Sequence, residues 1–114
     1  MANKLLTKSA KKTYKILIPE SVEEALKRQV DYILKEQYSS LIASNWLDGI
    51  VKAIDSLTEF PKRCAVAPEN FSVKKNPKIV IRHLIYKKTF RIIFTISGDE
   101  VRILSAKHSA RFAD

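Results

Sequence analysis

Cysteine occurs once in the 114 residues, at Cys64, so no intrachain disulfide can form; that fits a reducing compartment. Glycine is nearly as scarce: only Gly49 and Gly98 are present, and each marks a position that needs a reason. No Cys/His cluster has zinc spacing, so neither a metal nor a cofactor is expected. No apolar run approaches membrane-spanning length. The lysine-rich start, Met1 to Lys15, has only Leu5 and Leu6 as an apolar pair, too little for a secretion signal. A soluble, cytoplasmic protein is expected. Acids are in deficit, with 12 Asp and Glu against 21 Lys and Arg, a formal net charge of +9. A balance that basic calls for an anionic partner: nucleic acid, an acidic protein segment or a membrane surface.

The length and the 46% hydrophobic content suit one compact domain, expected over residues 14–114 behind a flexible basic arm at 1–13. Tyr14 to Ile18 reads as a short strand stopped by Pro19. Ser21 reads as a helix N-cap, with Glu24 three residues on completing a capping box. The stripe Val22, Ala25, Leu26, Val30, Ile33, Leu34 predicts one apolar helical face. A second helix is expected from Ser39 or Ser40, with Ile42, Trp46, Ile50, Ala53, Ile54 and Leu57 inward and Trp46 in the core. Gly49 weakens that helix by roughly 1 kcal/mol against alanine, and close contact with the first helix is the expected reason. Lys62 to Asn76 reads as loop, with an extended piece around Phe71 to Val73. Strands are expected at Ile79–Tyr86, Thr89–Ile96 and Val101–Ala106, joined by turns at Lys87-Lys88 and at Ser97 to Glu100, where Gly98 can take a positive φ. The fold class is α+β: an N-terminal strand and an antiparallel two-helix hairpin packed on a mostly antiparallel four-stranded sheet. From Asn70 onward the only acids are Asp99, Glu100 and Asp114, so the sheet carries much of the positive field.

Specific stretches carry a resemblance. Ala53-Ile54, Leu57, Phe60-Pro61 and Arg63 fit the pattern "A-I-x-x-L-x-x-F-P-x-R". Phe90-Arg91-Ile92-Ile93-Phe94 is similar to a "Y-R-I-I-Y" strand, and Arg82-His83-Leu84 stands where an "R-x-L" strand precedes it. Val101 to Arg111 resembles "V-x-I-L-x-x-x-H-x-x-R". In this order, over roughly residues 14 to 111, the chain resembles the RelE/ParE superfamily of toxins from type II toxin–antitoxin systems, the plasmid-stabilisation type. The resemblance implies a cytoplasmic growth inhibitor held inactive by a cognate antitoxin protein, and no membrane partner. Two targets are open. ParE-like members inhibit DNA gyrase; RelE-like members cut messenger RNA on the ribosome without a metal. An inactive relative, or a nucleic-acid-binding module sharing the fold, is the third reading.

In a ribonuclease of this kind the chain must orient a phosphate, offset its developing charge and move protons. Arg91 matches the family's strand arginine and suits the charge role; it can equally be a structural arginine paired with an acid. Arg82 stands where ribonucleases place a strand lysine or arginine, or is a solvated strand residue. His108 suits proton transfer, or is structural at a strand end. His83 alternates away from Arg82 and is expected to pack against a helix. Arg111, Lys107, Lys74 and Lys75 are binding candidates, and a lysine-rich loop is also ordinary surface. Two departures weigh against the ribonuclease: Phe112 stands near the end where ribonucleases commonly have a tyrosine, and Leu84 replaces a second lysine. The balance favours the gyrase inhibitor over the mRNA endoribonuclease. Cys64 has no evident partner base and is expected to be inert.

Overall fold

A computed structural model describes residues 12–71 and 78–108. The order is strand β1 (Lys15–Leu17), helices α1 (Glu20–Gln37) and α2 (Ser40–Asp55), then 3-10 turns at Ser56–Thr58, Pro61–Arg63 and Pro68–Phe71. Strands β2 (Ile81–Tyr86), β3 (Phe90–Ser97) and β4 (Glu100–His108) follow. The sheet order is β1-β4-β3-β2. β2–β3–β4 form the expected antiparallel meander, whereas β1 lies parallel to β4, with Lys15 opposite Glu100.

Helix α1 begins earlier than the capping-box reading. Pro19 is the N-cap, in extended backbone and without a side-chain bond, and its carbonyl already accepts from Val22 N at 3.0 Å. Ser21 therefore lies inside the first turn, where Glu20 and Glu23 face the positive end of the helix dipole. The chain leaves α1 through Tyr38 in the left-handed region. Ser39 then caps α2 by accepting from Ile42 N at 3.1 Å.

The main core joins Val22, Leu26 and Ile33 of α1, Ala43, Trp46, Ile50 and Ile54 of α2, and Phe90, Ile92, Phe94, Val101 and Ile103 of the sheet. Leu34 and Ile42, assigned inward by spacing, are exposed; Ala43 takes the place given to Ile42. Gly49 is tolerated for a different reason than contact with α1. A Cβ there would overlap the Tyr86 hydroxyl of β2 and sit 2.9 Å from its Cζ. The Tyr86 hydroxyl donates to the Trp46 carbonyl at 3.1 Å, so ring and helix backbone are locked together.

The stretch read as loop contributes to the sheet. Val66 bridges Arg82 in antiparallel register, with Ala67 N donating to Ile81 O at 2.8 Å and His83 N to Ala65 O at 3.1 Å. Beneath it, on the face away from the helices, Ala67, Ile81 and Ile93 form a second small core. Phe71 closes a 3-10 turn rather than opening an extended piece; residues 72–77 lie outside the described residues. Lys87 and Lys88 both have positive φ, 52 and 64 degrees, and Gly98 has φ 64 degrees. Among the described residues no helix is long and apolar enough to cross a membrane.

Candidate functional site

β4 does not alternate simply. Ile93 pairs with Ser105 but Phe94 with Ile103, so Leu104 is an extra residue in the ladder. This bulge shifts the phase of the strand by one. Before it Val101 and Ile103 point to the helices; after it Ala106 and His108 do. Lys107 is thereby turned to the opposite face, beside Arg91, its register partner.

On that opposite face Arg91 is 2% exposed. Its Nη1 and Nη2 donate to the two carboxylate oxygens of Glu69, at 3.2 and 2.5 Å. Such two-pronged pairing is the strong form of arginine–carboxylate contact. Nη1 also meets His83 Nδ1 at 2.9 Å. A guanidinium can only donate, so Nδ1 must accept and the His83 proton sits on Nε2. Lys107 Nζ approaches Glu69 at 3.3 Å. The Arg91 hydrogen bond, more than any other contact, holds the Glu69 carboxyl at about 2. Burial, reinforced by the Arg91 charge, pushes the His83 pKa down. His83 thus packs against an arginine on the helix-free face, not against a helix, because odd-numbered residues of β2 share that face with Arg91 and Ile93.

His108 lies on the helix side. Its Nε2 donates to Gln29 Oε1 of α1 at 2.9 Å, and its ring meets Tyr32 and Phe90 edge-on. These residues and Arg28 line an open cleft of about 490 Å³. Arg82 is half-buried at the edge formed by residues 62–66; its Nη1 donates to Cys64 O at 2.8 Å and reaches Lys62 O at 3.5 Å. The three proposed catalytic residues therefore occupy three places with three sets of partners. Lys74, Lys75 and Arg111 lie outside the described residues. Among the described residues no group of three His, Cys, Asp or Glu side chains is placed to hold a metal ion. Cys64 is buried, and burial raises its thiol pKa against the pull of Arg63 and Arg82.

Sequence reasoning missed Glu69, Gln29 and the role of Arg63. The Arg63 guanidinium donates to Glu59 O at 2.9 Å, Phe60 O at 3.1 Å, Ser56 O at 3.4 Å and Ser56 Oγ at 2.8 Å. It draws together the carbonyls of the turn where α2 unwinds, adding a side-chain donor to Ser56 O and Phe60 O, which already accept from Glu59 N and Arg63 N, and this gives the final arginine of the "F-P-x-R" stretch a structural purpose.

The family model for the ParE toxin of the type II toxin–antitoxin system, parDE, matches residues 16–111. This chain belongs to the ParE toxin family of type II toxin–antitoxin systems. The solved chromosomal ParDE TA system from P. aeruginosa contains a chain of the same fold, with a TM-score of 0.65 and 18% identity, over 84% of this chain and 96% of that one. No curated protein matches the sequence. The matched span of the ParE model runs from the second residue of β1 through the hairpin and Arg63 to all three meander strands.

Proposed function

We propose that this ParE-family chain inhibits growth in the cytoplasm by binding DNA gyrase, as a protein ligand rather than an enzyme, and is neutralised by a cognate antitoxin. The observation that supports this reading is the dispersal of Arg91, His108 and Arg82 over two sheet faces and an edge. A ribonuclease needs its phosphate clamp and proton carrier around one reacting centre. Arg91 has its fork on Glu69 and is buried, so a phosphate would have to displace a carboxylate to reach it.

The antitoxin segment that fits is amphipathic. Between β1 and the hairpin runs a groove of about 370 Å³ floored by Ile16, Ile18, Leu26, Val51 and Ile54. Tyr32, Leu41 and Val51 of the hairpin are exposed. A segment that folds on contact would bury its apolar face against these residues, and that burial works against its ordering entropy.

The test is a paired assay on purified protein: DNA supercoiling by gyrase, and integrity of messenger RNA on translating ribosomes. Loss of supercoiling with intact RNA is expected. RNA cleavage abolished by a folded Arg91→Met variant overturns the proposal in favour of the ribonuclease. Inactivity of folded protein in both arms overturns it in favour of an inactive relative.

A further inference from the structure

Apart from the apolar groove between β1 and the hairpin, the described surface holds a cleft of opposite chemistry. It has about 350 Å³ and is lined by Lys12, Lys62, Lys78 and Arg82, with Tyr14, Val80 and Ile96 as its apolar residues and no carboxylate among the described side chains that line it. The four cations come from four separate parts of the chain: the approach to β1, the 3-10 turn Pro61–Arg63, the approach to β2, and β2 itself. Their convergence is made by the fold and not by a run of lysines. Arg82 is fixed there by its bond to Cys64 O at 2.8 Å.

Next to it, Lys12 and Tyr14 also line a hollow with Glu59 and Phe60. Lys12 Nζ stands 5.0 Å from the Tyr14 ring centroid. Phe60 is 69% exposed, and its backbone is left-handed, at φ 49 and ψ 56 degrees. That conformation is strained for a bulky L-residue, yet it leaves the ring in water rather than in the core. A row of cations beside an exposed ring is the arrangement that tracks a phosphate backbone and stacks an unpaired base. An amphipathic protein segment finds little apolar floor in this cleft, and finds one in the groove by β1.

We propose that the Lys12–Lys62–Lys78–Arg82 cleft binds the phosphate backbone of single-stranded nucleic acid, with Phe60 as the ring on which a base stacks. This assigns a ligand and does not rest on gyrase being the target. No bond is made or broken.

The experiment is fluorescence anisotropy of the full chain with a short labelled single-stranded oligonucleotide over a range of salt concentrations. The matching duplex and a poly-glutamate peptide are run in parallel. In Lys12→Gln/Lys62→Gln/Lys78→Gln, binding is expected to weaken about tenfold or more, and the salt slope to fall by about 2, at roughly 0.7 per lost phosphate contact. Phe60→Ala is expected to weaken single-strand binding by about tenfold and leave duplex binding unchanged. The control Lys27→Gln/Lys35→Gln/Lys52→Gln removes the same charge from exposed helix positions and is expected to bind within about twofold of the parent. Coincident thermal melts establish that each variant is folded. Equal losses in the two triple variants overturn the proposal, because bulk charge then explains binding. So does tighter binding of poly-glutamate, which makes the cleft a site for an acidic protein segment. Duplex bound as tightly as single strand, with no effect of Phe60→Ala, overturns the stacking assignment.

Discussion

Glu69 and Arg91, 22 residues apart in sequence, meet with both carboxylate oxygens on both terminal guanidinium nitrogens. The pair is asymmetric: the Arg91 side chain is 3% exposed and that of Glu69 is 21% exposed. Removing the acid strands a buried cation, whereas removing the arginine leaves an acid near water and beside Lys107. Glu69→Gln should therefore cost about 3 kcal/mol and Arg91→Met clearly less, by urea unfolding at neutral pH. Equal costs would show that burial of the arginine does not set the energetics. The acid limb follows from the same pair. The folded-state pKa of Glu69 is depressed from 4.5 to about 2, so its stabilisation is complete above 4.5 and is lost as pH falls toward 2. The stability gap between parent and Glu69→Gln should narrow over that window.

His83 is a second titrating group in the same cluster, with a lowered pKa. The unfolded chain takes up a proton near the ordinary 6.5 while the folded chain resists it, so stability falls as pH drops below 6.5. His83→Gln should lose less stability than the parent between pH 7 and pH 5. Nitrogen NMR should find the proton on Nε2 at neutral pH; an Nδ1–H tautomer would contradict the Arg91 contact.

Gly49→Ala sets two effects against each other. Alanine favours the helix by up to about 1 kcal/mol, but the added methyl overlaps the Tyr86 ring, and such overpacking costs roughly 1–3 kcal/mol. A net loss is expected. In a Tyr86→Phe background the loss should shrink without vanishing, since Cζ still lies 2.9 Å from the new atom. Thermal melts of the four proteins decide it; an unchanged loss would mean that another neighbour resists the methyl.

The β2–β3 turn places two lysines in left-handed backbone, closed by Thr89 N to Tyr86 O at 3.2 Å. Asn-Gly is the sequence such a turn favours. Lys87→Asn/Lys88→Gly should stabilise the protein by about 1 kcal/mol, the relief of backbone strain being partly offset by the freer unfolded chain. Unchanged or reduced stability would show that the lysine side chains contribute more than their strain costs.

Periodicity carried the hairpin and the meander, because Trp46, Ile50 and Ile54 recur at helical spacing and Phe90, Ile92 and Phe94 alternate. It failed where a single residue changes phase. Strict alternation from Val101 would send His108 away from the helices; the extra Leu104 returns it to Gln29 and Tyr32. The pairing of β1 with β4 was also out of reach, since three residues carry no signal of their neighbour. Glu69 was hidden for another reason. It lies in a stretch broken by Pro68 and Asn70 that reads as featureless, yet Asn70 Oδ1 accepts from Ile81 N at 2.8 Å and ties the stretch to β2. Arg63 was read as part of a motif, and its work on the Ser56, Glu59 and Phe60 carbonyls needed three-dimensional distances.

The parallel contact of β1 with β4 joins Lys15 to Glu100 and Leu17 to Arg102. A ribosome releases the first of these strands long before the second. Until the later one emerges, Tyr14, Ile16 and the inner face of the hairpin have no Val101 or Ile103 to rest on. Closing so long a loop is entropically slow, and nothing rewards it until both ends are present. The growing chain thus stays without this part of its surface until β4 has emerged, and acquires it in one step.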